Sequence, residues 1–150
     1  MLEIQKLLSQ DGYNEHCYSI LDDLGIKHKI EIGPNGKKYL HLDYSIKADK
    51  KSKLVKECRG LGLEFDTWNV FRLGFYRFMN YGEGGCDIIN FDREIYYEEK
   101  CDGSLIFLHW IDGIGWNVGT RGVLFPNNKI NGFDITFPEL FWKSNVERIC

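Results

Sequence analysis

The run Tyr96-Tyr97-Glu98-Glu99-Lys100-Cys101-Asp102-Gly103-Ser104-Leu105-Ile106 sets one lysine at the end of a strand-like stretch, before an Asp-Gly turn and a second apolar stretch. A primary amine held there can be buried, surrounded by cations and aimed at an electrophile. It needs such surroundings, because at its reference pKa of about 10.4 a lysine is almost fully protonated at neutral pH. Lowering that pKa by three units takes about 4 kcal/mol of differential stabilisation from burial or nearby positive charge. The same residues also fit a plain β-hairpin with an Asp-Gly turn and a solvent-facing lysine. What the rest of the chain brings to Lys100 has to separate the two.

The elements that must position this lysine are partly legible. Leu2, Ile4, Leu7 and Leu8 predict a short amphipathic helix broken at Asp11-Gly12. Asn14 is placed to cap a second helix carrying Cys17, Ile20, Leu21 and Leu24, with Gly25 at its C-terminus. From Ile26 the period becomes two, through His28, Ile30 and Ile32. Gly33-Pro34-Asn35-Gly36 then turns the chain into a return strand near Tyr39–Tyr44. Short strands are expected near Gly62–Phe65, Val70–Leu73 and Trp116–Thr120, and a pair flanking Lys100. The Gly-rich loop Tyr81–Gly85 lacks G-x-G-x-x-G and a following helix, so it is not a dinucleotide site. Pro138 opens a last helix with Leu140, Phe141, Val146 and Ile149 near helical spacing. The expected fold is α+β, one domain over 1–150, with N-terminal helices and a twisted, mostly antiparallel sheet.

Composition narrows the function. The 150 residues are 43% hydrophobic and 15% aromatic, enough for one well-stocked core. No apolar run approaches a secretory core or a membrane span, and the expected location is the cytoplasm, a viral host's if the source is viral. Five scattered cysteines with no C-x-x-C, and four histidines with no ligand spacing, predict reduced packing thiols and no metal site of protein nitrogen and sulfur. A net charge of −3 is not that of a general nucleic-acid binder. The segment 47–59 is nevertheless basic, with Lys47, Lys50, Lys51, Lys53, Lys56 and Arg59 against Asp49 and Glu57. Such a run is usually a solvated face and could also touch phosphates.

Three further segments stand in order around Lys100-Cys101-Asp102-Gly103-Ser104: Lys56-Glu57-Cys58-Arg59-Gly60-Leu61, Arg77-Phe78-Met79-Asn80-Tyr81-Gly82-Glu83 and Thr120-Arg121-Gly122. Together they resemble the phage-type ATP-dependent RNA ligases, a branch of the covalent nucleotidyltransferases that includes DNA ligases and capping enzymes. Ser104 fits this branch better than the DNA ligases, which usually carry arginine there. Leu42-Asp43-Tyr44-Ser45-Ile46 is similar to the tyrosine-bearing strand that those ligases place before E-C-R-G. The resemblance implies that Lys100 attacks the α-phosphorus of ATP, expels pyrophosphate and holds AMP through a phosphoramide bond. It implies nucleotide contacts for Arg59 and Arg77, a place near the phosphates or the RNA end for Arg121, and a part in the pocket for Tyr44. Gly103 would allow the close turn beneath the nucleotide, Asp102 and Ser104 would fix the loop or the ribose side, and Glu99 joins the nucleotide-binding set. The implied cofactors are ATP and Mg²⁺, and the implied partners are RNA 5′-phosphate and 3′-hydroxyl ends.

The chain departs from the family pattern. Arg77 and Met79 replace residues of K-F-F-N, and Arg121 replaces the lysine of S-K-G; arginine keeps the charge and changes the donor geometry. The downstream F-E-x-x, E-G-x-V and K-x-K elements, which supply carboxylates and lysines, have no counterpart after Lys100. These 150 residues are therefore expected to be the N-terminal portion of such a domain, cut off before those elements, with nucleotide transfer slow or absent in isolation. The alternative is a non-catalytic remnant or split-ligase subunit that binds RNA or a complementary C-terminal chain. A capping-type guanylyltransferase shares the lysine chemistry and differs in the base read.

Overall fold

The computed structural model describes residues 1–49 and 51–149, the side chains of 145–149 excepted. Lys50, Cys150 and the side chains of Val146 and Ile149, named above, lie outside the described residues. In chain order the elements are α1 (Glu3–Asp11), α2 (Glu15–Asp23), β1 (Ile26–Ile32), β2 (Lys38–Tyr44), α3 (Lys53–Glu57), β3 (Leu61–Glu64), β4 (Val70–Arg72), β5 (Ile106–Ile111), β6 (Gly115–Thr120) and α4 (Phe137–Ile149). The fold is α+β, as expected, with its described strands in two antiparallel sheets, β1-β2-β3-β4 and the hairpin β5-β6.

Local chemistry fixes the first elements. The Asn14 side chain accepts from Cys17 N at 3.1 Å, the expected cap of α2. The Gln5 side chain reaches back to Leu2 N at 2.9 Å at the start of α1. Gly33–Lys37 closes the β1–β2 hairpin, with Ile26 opposite Tyr44 and Ile32 opposite Lys38. Leu40 and Leu42 of β2 are fully buried with Ile4, Leu8, Leu21 and Leu61, so the helices cover one face of the four-stranded sheet. Each such aliphatic side chain removed from water contributes about 1.5–3 kcal/mol. Tyr39 joins a second cluster with Phe71 and Phe125 at ring separations of 4.6 and 5.1 Å, and His109 of β5 packs on both phenylalanines.

Between the sheets lies a buried polar network centred on Arg72, which is 2% exposed. Its Nε donates to Gly60 O at 2.9 Å, and its Nη1 donates to Thr120 O and Val123 O at 3.1 and 3.2 Å. Its guanidinium also lies 4.4 Å from the Phe107 ring centre. His41 sits beside it and faces Glu31 through Nδ1 at 3.0 Å. Glu31 in turn receives Lys29 and the amide of Leu124. Burial pushes the Glu31 carboxyl up, but hydrogen bonds from His41 and Lys29 outweigh it and hold the group down at about 2. Burial, reinforced by the Arg72 charge, holds His109 down at about 4.

One expected element is missing. Residues 94–100 form no strand, and the first strand after Arg72 begins at Ile106. Tyr96 and Tyr97 are 79% and 86% exposed, so the strand-like run there finds neither a ladder nor a surface to bury against. The Asp-Gly pair that closes a hairpin is Asp112-Gly113, between β5 and β6, and not Asp102-Gly103.

Arg72→Met is expected to destabilise the fold by about 3–5 kcal/mol in urea unfolding, since it strips buried carbonyls of their charged donor. Acid should also unfold the protein over a wide range. His109 is neutral in the fold, so its contribution is lost as pH falls from about 6.5 through 4; that of Glu31 is lost from about 4.3 through 2. His109→Phe should flatten the upper part of this profile and leave the lower part, measured as unfolding midpoint against pH.

Candidate functional site

The E-C-R-G segment leaves α3 with each side chain committed differently. Glu57 is 2% exposed, and its Oε2 accepts from the amides of Glu3 and Ile4 at 2.8 and 3.4 Å, capping the first turn of α1. Burial pushes its carboxyl up, and those amides pull it back in part. Cys58 is fully buried, with its thiol pushed well up by burial. Arg59 turns outward, its guanidinium 4.9 Å from the Phe78 ring centre, while its Nε is buried without a hydrogen-bond partner. Gly60 has φ +65°, and a Cβ there would stand 3.0 Å from Arg121 O, so E-C-R-G and T-R-G meet backbone to backbone.

Arg59, Phe75 and Phe78 line a cleft of about 530 Å³ together with the continuous run 98–105. The cleft thus unites Arg59, Glu99, Lys100, Asp102, Gly103 and Ser104, six of the residues singled out in the sequence. The lysine itself differs from expectation. Its side chain is 76% exposed and its nearest charged partner is the Asp102 carboxylate at 3.4 Å, not a cation. With no strand before it, nothing draws the lysine inward. Gly103 has φ +145° with open space around it, a conformation that a side chain would resist.

Tyr44, Arg77 and Arg121 form a separate cluster. The Tyr44 ring centre lies 4.3 Å from the Arg77 guanidinium and 4.4 Å from that of Arg121. Arg121 is fixed by Asp43 at 2.9 Å and by Tyr44 O at 3.2 Å. Arg77 is held by its amide to Lys56 O at 2.8 Å and by Nη1 to Ala48 O at 3.4 Å. Chain neighbours join this cluster to the cleft, through Gly60 against Arg121 and through Phe78 beside Arg77. Within the lysine-rich segment, Lys53 pairs with Glu3 and Lys56 with Asp87.

Sequence reading missed Asp43, Phe75 and above all Arg72. Asp43 stands next to Tyr44 in a segment already singled out, whereas Arg72 bonds to backbone carbonyls and leaves no side-chain pattern to find. Among the described residues no three His, Cys, Asp or Glu side chains converge to hold a metal ion. The carboxylates of Glu98, Glu99 and Asp102 line the cleft without forming such a group. No described helix is long and apolar enough to cross a membrane.

The chain is 32% identical over 155 aligned residues to a protein of Autographa californica nuclear polyhedrosis virus named "Putative bifunctional polynucleotide kinase/RNA ligase". The match covers 93% of this chain and 20% of that protein, so the chain spans about a fifth of its relative's length. No protein-family model matches the chain. No solved structure matches it significantly.

Gly60→Ala places a side chain in the left-handed region and against Arg121 O. The expected loss is about 1–2 kcal/mol of stability, read from the denaturation midpoint.

Proposed function

We propose that the chain is part of an ATP-dependent RNA ligase in which Lys100 becomes adenylylated. The observation that carries this reading is the cleft that gathers Arg59, Lys100, Asp102, Gly103 and Ser104, residues of two separated motifs, in a chain similar to a protein named as an RNA ligase. In this reading the fold is the N-terminal portion of a nucleotidyltransferase domain. ATP occupies the cleft, with the aromatic rings of Phe75 and Phe78 giving an apolar wall for the base and Arg59 facing the phosphates.

The Lys100 amine attacks the α-phosphorus, a nitrogen–phosphorus bond forms, the α–β phosphoanhydride bond breaks and pyrophosphate leaves. Attack requires the free amine. The Lys100 amine is engaged by Asp102 at 3.4 Å, so productive binding draws it off Asp102 towards the Arg59 side. A cation there disfavours a second positive charge and stabilises the charge that builds on the phosphoryl oxygens. Arg77 and Arg121, stacked on Tyr44, extend the positive field towards the RNA 5′-phosphate. Mg²⁺ chemistry belongs to this reaction class, but the described residues form no metal site, so no step here runs through the ion.

A second reading, a split subunit that needs a complementary chain, is favoured by the exposed aromatics of 73–105. Phe75, Phe91, Tyr96 and Tyr97 are 68%, 63%, 79% and 86% exposed.

Incubation with α-labelled ATP and Mg²⁺, followed by a denaturing gel, tests both. Covalent label on the wild type and none on Lys100→Ala is the expected outcome, with Arg59→Ala reduced about 10²-fold. Absence of label that is restored by adding the relative's downstream ligase segment favours the split subunit. Absence of label without rescue sinks the catalytic reading.

A further inference from the structure

Among the described residues, Lys27 is the one groove cation left without a carboxylate, and the reason is structural. In the β1–β2 ladder Lys27 stands directly opposite Asp43, a pairing in which lysine and aspartate usually neutralise each other. Here the Asp43 carboxylate is taken by Arg121 at 2.9 Å, and no contact of the exposed Lys27 ammonium with any described residue is found. The neighbouring cross-strand pair is Lys29 and His41. Lys29 bridges Glu31 at 3.0 Å and Gly122 O at 3.2 Å, while His41 spans Glu31 and Arg121 O.

These residues line a groove of about 280 Å³, made by Lys27, His28, Lys29, His41, Asp43 and Gly122. The ring of His28 is engaged elsewhere, with Tyr13, Tyr18 and Asp22. The acids at or beside the groove are already engaged, Asp43 by Arg121, Glu31 by Lys29 and His41, and Asp22 by the His28 ring. The Lys27 ammonium is what remains unmatched among the described residues. The groove shares Asp43 with the Tyr44–Arg121 cluster, and Gly122 directly follows Arg121.

From this arrangement we infer that the groove holds a backbone phosphodiester of the RNA strand, with Lys27 as its principal cation. The inference rests on the ligase reading for the identity of the strand, and it assigns the path that the strand takes away from Arg121. Phosphate contacts of this kind set position and register, and they make binding salt-dependent.

The test measures binding of a 5′-phosphorylated single-stranded RNA to the full chain across a salt series. Each lost phosphate contact on a single strand lowers the slope of log K against log salt by about 0.7. Lys27→Ala is expected to show that loss, and Lys27→Arg to restore it. Lys37→Ala, at the far end of the same hairpin and some 15 Å or more away by strand rise, should leave the slope unchanged. Equal slopes for Lys27→Ala and Lys37→Ala overturn the proposal. So does a Lys27→Ala defect in binding ATP alone that matches its defect in RNA binding, which would assign the groove to a nucleotide phosphate. The two readings fail separately: label on Lys100 with no Lys27 effect sinks only the groove, and a Lys27 effect without label sinks only the catalytic reading.

Discussion

Everything at the candidate site hangs on the position of one buried guanidinium. Arg72 bonds Gly60 O from the E-C-R-G segment and Thr120 O from the T-R-G segment, so a single planar group sets the spacing of Arg59 and Arg121. A buried cation is tolerated only where its donors are matched, and here backbone carbonyls, the His41 ring and the face of Phe107 do so. Gly119 completes the fit, because a Cβ at that position would stand 2.6 Å from the Arg72 Nη1 atom. The guanidinium therefore ties the hairpin β5–β6 to the four-stranded sheet, and it does so at the strand ends from which the outward-facing arginines emerge.

The two walls of the cleft are built to different standards. The arginine wall rises from sheet and core, with Cys58 and Leu61 fully buried on either side of Arg59-Gly60. The lysine wall is a loop whose one side-chain ion pair among the described residues joins Lys100 to Asp102, both groups standing in solvent. In the proposed reading, the arginine half of the site is anchored in the core while the lysine half stands open. The chain spans about a fifth of its relative's length, and the aromatics of 73–105 stand exposed in it.

How much of this was legible depended on whether the signal was local. The Asn14 cap, the Gly33–Gly36 turn and the period-two run from Ile26 each act within a few residues, and the structure bears them out. The strand expected before Lys100 had an apolar, aromatic run but required a partner edge that the described residues do not offer. The two Asp-Gly pairs make the same point. Asp112-Gly113 turns a hairpin because six-residue strands flank it on both sides, while Asp102-Gly103 has such a strand only after it. Arg59 and Lys100 were found as motif members and do share a cleft, yet neither the exposure of Lys100 nor the stacking of Tyr44 between two arginines has a sequence pattern. Arg72 was invisible for the simplest reason: its partners are carbonyl oxygens, which every residue carries.

Glu57 gives the beginning of the chain an unexpected stake in the cleft. Its carboxylate is buried beneath the first turn of α1 and satisfied by the amides of Glu3 and Ile4, the former 54 positions away along the chain. Loss of the Glu3–Ile4 turn would leave a buried acid stripped of its donors two positions before Arg59. A change at that turn would then be felt at the cleft, although no residue of the turn lines it.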